Sequence, residues 1–249
     1  MAINFRSNTI IKNLRVGPLS GGGGEGGGGG SLLTDNVIFH YNFNNSSSYP
    51  GSGTTLYDLS SNSYNVTLDF YGGSSITSSG GITFASQGAF GQVSSATAWQ
   101  SELSSTFSWS YTGWYQLPAL GSDYDKQIVR TEHNEFLLKY NSSGVFEVQV
   151  VTPTNIPNDF SSSSVSSYIP NSSTWFNLGV VLNGTSFKLF INGVARIDET
   201  MAGSQFSSSP SYAHFSPILN SPFAQGILYD RALTDAEVLS NYNALSSSF

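Results

Sequence analysis

Three histidines, His40, His133 and His214, stand far apart from one another in the chain. Isolated histidines of this kind read as hydrogen-bonded strand residues. Hydrolysis of a glycosidic bond needs two carboxyl groups flanking it, roughly 5–5.5 Å apart in retaining enzymes. On a strand, two such groups share a face only at alternate positions. Asp123 and Asp125 alternate but lie beside Gly121 in a turn-like stretch, Glu132 and Glu135 are three apart and would face opposite sides, and Asp198 and Glu199 are adjacent. All read as solvated loop charges. A G-x-S-x-G nucleophile motif and a phosphate-cradling loop are both missing. There is no cysteine, so neither a disulfide nor a thiolate metal site can form. The chain therefore reads as a non-enzyme.

Aromatic side chains offer a different chemistry, since their faces stack on sugar rings while neutral hydrogen-bonding groups take the hydroxyls. Trp99, Tyr124, Tyr168 and Tyr212 fall in loop-like stretches and are the candidate glycan-binding residues. Trp109, Trp114 and Trp175 sit on apolar, strand-like runs and read as core.

The elements that must position these residues are strands. Charged residues make up 10% of the 249, against aromatic and hydrophobic shares of 14% and 39%. Ser, Asn, Thr and Gly take the place of charge, and they favour turns and sheets over exposed helices because their side chains compete for the helical backbone. Val37–Phe43 is rich in β-branched and aromatic residues and ends in an Asn-Asn-Ser turn cluster. Thr106–Gln116 alternates Phe107, Trp109, Tyr111 and Gly113 on one face. Phe136–Tyr140 and Val145–Val151 read as a hairpin, and Trp175–Leu182, Ser186–Ile191 and Val194–Ile197 as three strands joined by Asn183-Gly184 and Asn192-Gly193 turns. One helix is predicted at the C-terminal end. Thr234 and Glu237 form a capping box, and Ala236, Leu239, Tyr242 and Leu245 fall near one face.

Gly21–Gly30 holds nine glycines around Glu25 and marks a flexible boundary. It divides the chain into an arm, 1–20, a linker, 21–31, and a β-domain, 32–249. The arm carries Arg6, Lys12 and Arg15 with no acid in its first 17 residues, and Ile10, Ile11, Leu14 and Val16 at strand-like positions. A lone short strand is unstable in water and needs a partner, so the arm is expected to anchor the chain or pair with other copies in a homo-oligomer, for which a trimer is the expectation. The rest of the chain carries six bases against sixteen acids, a balance of −10. Such an acidic body argues against nucleic acid as a partner. No apolar run reaches the roughly 20 residues that span a bilayer, and the N-terminus shows no secretory h-region.

Four segments, in order, carry a family resemblance. Residues 45–62 (NSSSYPGSGTTLYDLSSN) resemble the "SYPGSGTTW-DLSGN" opening of concanavalin A-like/laminin G-like domains. Phe107–Tyr115 is similar to their first buried aromatic strand, Trp175–Gly193 to their tryptophan-led hairpin, and Leu228–Val238 to their terminal "Y-N-R-A-L-s-d-x-E-i" element. The resemblance implies an all-β, two-sheet antiparallel jelly-roll sandwich with a short C-terminal helix and an extended N-terminal arm. Catalytic members place acids as E-x-D-x-E on one strand, and no such run occurs here. Some relatives bind calcium near the opening loop, which would implicate Asp58 and Asn62. The glycine that usually follows "DLS" is Ser61 here and the following "GN" is Ser63-Tyr64, so the loop is expected to differ. Domains with this opening occur in virion proteins of tailed bacteriophages. The implied role is a virion structural protein, a capsid decoration or fibre, made in the host cytoplasm and attached to other virion proteins through its arm. The alternative is a lectin-like module that adsorbs to cell-surface glycans.

Overall fold

The computed structural model describes residues 30–69, 75–76, 81–83, 90–93, 108–116, 126–131, 136–140, 146–151, 157–162, 174–200, 213–215 and 222–249. They form sixteen strands: β1 (Val37–Asn42), β2 (Thr55–Leu56), β3 (Val66–Asp69), β4 (Ser75–Ile76), β5 (Ile82–Thr83), β6 (Phe90–Val93), β7 (Ser108–Gln116), β8 (Lys126–Thr131), β9 (Phe136–Tyr140), β10 (Phe146–Val151), β11 (Pro157–Ser162), β12 (Trp175–Asn183), β13 (Ser186–Ile191), β14 (Val194–Thr200), β15 (Ala213–Phe215) and β16 (Phe223–Tyr229). Helix α1 (Asp235–Leu245) follows.

The strands make the two-sheet antiparallel sandwich that the residue pattern implies. One sheet runs β14-β13-β12-β7-β16, and both β1 and the β5-β4 pair lie on the far side of β16. The other runs β11-β10-β9-β8-β15-β6-β3-β2. The hairpin read from Phe136 to Val151 is the β9-β10 pair.

The first sheet is covered on both faces, and so β7, β12 and β16 are buried along nearly their whole length. Alternation sends Phe176, Leu178, Val180 and Leu182 of β12 to one face, and Asn177, Gly179 and Val181 to the other. The second face lies under α1, where Val181, Phe190, Ile227, Tyr229, Leu233 and Val238 form one cluster. Asn177 and Ser110 on this face bond internally. Asn177 Nδ2 donates to Thr112 Oγ1 (2.9 Å), and Ser110 Oγ takes the Leu233 amide (2.8 Å) and donates to the Arg231 carbonyl (2.9 Å).

The opposite face of β7 carries Trp109, Tyr111 and Tyr115, all buried. The Tyr111 and Tyr115 hydroxyls lie 2.6 Å apart in this layer, and burial raises both phenol pKa values. The paired glycines Gly113 and Gly226 leave the room they need. A Cβ on Gly226 would come within 2.8 Å of the Tyr111 hydroxyl and 2.9 Å of Phe223 Cζ. Trp109 and Trp114 are core, as read from their strand positions. Trp175 is half-buried, its ring 5.4 Å from Phe249, which also stacks on Trp114 at 4.5 Å.

Two details correct the sequence reading. The first concerns the turn between β12 and β13. Asn183 pairs with Ser186, so the two turn residues are Gly184 and Thr185, and Gly184 carries the positive φ, +59°. This is the glycine-first hairpin turn, while Asn192 and Gly193, both at positive φ, make the Asn-Gly type. The second concerns the helix stripe. Ala236 and Leu239 are exposed, and Val238 and Asn241 are buried. Asn241 belongs there because its amide is consumed: Oδ1 accepts from the Leu33 amide (2.9 Å) and Nδ2 donates to the Tyr229 hydroxyl (3.0 Å). The capping box is complete, with Thr234 Oγ1 accepting from the Glu237 amide and Glu237 Oε2 from the Thr234 amide.

Candidate functional site

Strand β1 pairs with β16 along one edge only. Its outer edge would expose unpaired amides and carbonyls, which invite another strand. Residues 58–62 close that edge, mostly with side chains. Asp58 Oδ1 accepts from the His40 amide (2.8 Å), and the Leu59 amide donates to the His40 carbonyl (2.8 Å). Ser60 Oγ donates to the Ile38 carbonyl (3.1 Å), and Asn62 Nδ2 donates to the carbonyls of Ile38 (2.9 Å) and Val37 (3.1 Å). Asp58 also organises its own loop, accepting from the Ser60 amide (2.9 Å), the Ser60 hydroxyl (2.6 Å) and the Tyr64 amide (3.0 Å). The first of these is the turn-capping bond that an aspartate makes two residues on. The loop turns at Ser63, whose φ of +59° is unusual for a residue with a side chain.

This arrangement decides how Asp58 and Asn62 stand towards calcium. A carboxylate has about four lone-pair sites, and four protein donors meet those of Asp58. The Asn62 amide nitrogen is likewise engaged with the strand edge. Calcium takes roughly six to eight oxygen ligands, and among the described residues no three acids or histidines are grouped to hold a metal ion. As they stand, Asp58 and Asn62 serve the edge of β1 and do not fit a calcium site.

Between this loop and the chain entering β1 lies a cleft of about 550 Å³. Thr34, Asn36, Ser60, Ser61 and Asn62 contribute neutral polar groups to it, and Leu33, Val37 and Leu59 contribute apolar ones. Ile38, His40 and Asp230 complete the lining. His40 Nε2 lies 2.8 Å from the Gln225 side-chain amide. Burial lowers the His40 pKa to about 4, against a smaller opposing pull from the Asp58 charge. The ring is therefore neutral at pH 7.

Asp230 follows the last residue of β16, and its amide donates to the Asn36 carbonyl (3.0 Å). Its Oδ1 is buried and meets no hydrogen-bond donor. The neighbouring cation does not serve it. The Arg231 guanidinium is held by Glu237 (2.8 and 3.0 Å) and Asp35 (3.2 Å). The cleft thus offers a rim of hydroxyl and amide groups beside apolar side chains.

The candidate residues read from the sequence divide accordingly. Asp58 and Asn62 are brought together beside the cleft. The glycan candidates Trp99, Tyr124, Tyr168 and Tyr212 lie outside the described residues, as do the arm residues Arg6, Ile10, Ile11, Lys12, Leu14, Arg15 and Val16. Asp230 and Asn36 were not singled out by sequence, and His40, read there as a hydrogen-bonded strand residue, is one in β1. The available signal for Asp230 is a carboxylate placed directly after a strand of seven residues without a charge.

No curated protein matches the chain. Among solved structures it is similar to the binding domain of botulinum neurotoxin serotype D, with TM-score 0.63 and 14% identity over 84% of this chain and 52% of that one. It is similar to a botulinum neurotoxin type C structure, with TM-score 0.66 and 14% identity over 85% and 52%. It also resembles the binding domain of Paraclostridial Mosquitocidal Protein 1, with TM-score 0.63 and 17% identity over 85% and 52%. The chain spans about half the length of these structures, and at these identities the likeness shows the fold alone. The family model described as the concanavalin A-like lectin/glucanases superfamily, laminin G type, matches residues 87–239. That match starts after the opening loop but takes in the aromatic strand β7, the β12-β13 hairpin and the capped start of α1, and with it the chain belongs to the concanavalin A-like lectin/glucanases superfamily.

Proposed function

We propose that this chain is a non-enzymatic recognition module, a lectin-like jelly roll that binds glycans. The observation that carries the reading is the cleft beside β1, where neutral hydrogen-bonding side chains border apolar groups. Sugars present the same mixture of hydroxyls and C–H faces. Its volume lies within the range of small-molecule sites. Asp230 is the one acid in the lining, whereas glycoside hydrolysis needs two carboxyl groups across the bond. Binding domains of similar fold include one solved in complex with SialylT, in a chain of which the match spans about half. The test is binding of the full-length protein to an array of immobilised glycans. Saturable binding that free sugar competes away supports the reading, and no binding to any glycan overturns it.

A second reading concerns where the module is held, and the arm favours it. Three bases and no acid in the first 17 residues precede nine glycines and an acidic body. Ten extended residues reach at most about 35 Å, enough to hold a domain clear of a surface. This makes the chain a virion structural protein, anchored through Arg6, Ile10, Ile11, Lys12, Leu14, Arg15 and Val16 and displaying the sandwich outward. Full-length protein should bind particles that lack it, and a chain starting at Ser31 should not. Equal binding of both would remove the anchor. The arm also makes the protein a trimer, and light scattering that finds a monomer both free and on the particle would refute that.

A further inference from the structure

The chain from Tyr57 to Leu59 runs beside β1. The Tyr57 amide donates to the Ser48 carbonyl (2.7 Å), and the Tyr57 carbonyl accepts from the Ser48 hydroxyl (2.6 Å), which itself accepts from the Asn42 amide of β1 (3.1 Å). The Leu59 amide turns to the same side, to the His40 carbonyl (2.8 Å). Between them the Asp58 amide points the other way, to Asn65 Oδ1 (3.0 Å), next to the start of β3. Amides that alternate in this way belong to an extended chain, in which the side chains of residues two apart share a face. Leu59 lines the cleft. Tyr57 therefore stands on the cleft's own face, roughly 7 Å further along.

This tyrosine is unlike the others nearby. Tyr41, Tyr49, Tyr111, Tyr115 and Tyr229 use their hydroxyls inside the fold. Tyr57 is 44% exposed, and among the described residues its hydroxyl meets no partner and its ring stacks on no other. The other large exposed apolar side chains, Val194 and Leu239, are aliphatic and lie by the β13-β14 turn, where a Cβ on Gly193 would come within 3.0 Å of Leu239 Cδ1. We propose that Tyr57 is a stacking platform at one end of the cleft, and that the ligand is an oligosaccharide with one ring in the cleft and the next on the phenol face. This rests on the glycan reading of the cleft and names the class of glycan. The electron-rich face of the ring attracts the C–H groups of a sugar as it does the edge of another aromatic ring. Residues 43–57 carry no charged side chain, so covering the ring takes no ion out of water. A monosaccharide in the cleft leaves Tyr57 uncovered, and a chain of two or more rings covers it.

The experiment uses the full-length protein on an array of monosaccharides and of oligosaccharides that end in the same sugars. Oligosaccharides should bind about tenfold tighter than the matching monosaccharide. Tyr57→Ala should abolish that difference while leaving Tm and monosaccharide affinity unchanged, and Tyr57→Phe should keep it. In the unsubstituted protein, saturation of the Tyr57 ring protons should transfer to sugar C–H protons. Full oligosaccharide affinity in Tyr57→Ala, equal loss in Tyr57→Phe, loss of monosaccharide binding as well, or no transfer from the ring each overturns this inference and leaves the glycan reading standing. Binding to no sugar overturns both.

Discussion

His40 makes the stability of this protein fall in mild acid. Its ring is neutral in the folded chain because burial lowers its pKa to about 4. In the unfolded chain it titrates near its ordinary value of 6.5. Between those values the unfolded state binds the extra proton, so stability is present above pH 6.5 and is lost as pH falls towards 4. With those two values, linkage gives a loss of about 2 kcal/mol between pH 7 and pH 5, and roughly 3 kcal/mol once pH is below 4. His40→Asn removes the titration while keeping a polar side chain at the cleft. Urea unfolding of both proteins at pH 7 and pH 5 isolates the histidine. Glu237, held at about 2 by Arg231 and the Thr234 amide, gives up its contribution only below its ordinary value of 4.5, outside that window. The pH 7-to-5 loss should be about 2 kcal/mol smaller in the variant. An equal loss in both proteins would refute the assignment of a buried neutral His40.

Three further outcomes follow from the packing. Asp58→Ala unpairs the amides of His40, Ser60 and Tyr64 and should cost about 2–4 kcal/mol in urea unfolding, since each stranded donor costs about 1 kcal/mol or more. Ser63→Gly relieves a left-handed backbone at φ +59° and should stabilise by about 0.5–1 kcal/mol, read as a rise in Tm. Gly226→Ala drives a methyl to within 2.8 Å of the Tyr111 hydroxyl and should cost about 1–3 kcal/mol, with the near-ultraviolet tyrosine signal perturbed.

The sandwich was legible because its signals are local. Alternation along β7, the Asn192-Gly193 turn and the Thr234–Glu237 capping box each lie within a few residues. The β12-β13 turn slipped by one residue because Asn-Gly and Gly-Thr both satisfy a two-residue hairpin, and pairing of Asn183 with Ser186 selects the second. The helix stripe was misread because periodicity counts apolar residues, and Asn241 is buried through hydrogen bonds to Leu33 and Tyr229. The site was harder still. Asp58 and Asn62 look like ligands in a motif, yet their partners are backbone groups of residues 37–40, some twenty positions away. Nothing local announces that Asp230 Oδ1 ends without a donor, since that depends on Arg231 turning to Glu237 and Asp35.

The most direct test of the glycan account is a map of backbone amide shifts in the full-length protein, titrated with the best-binding glycan. Saturable shifts confined to residues 33–40, 57–62 and 230 are predicted. Shifts concentrated elsewhere, with these amides unmoved, would contradict it.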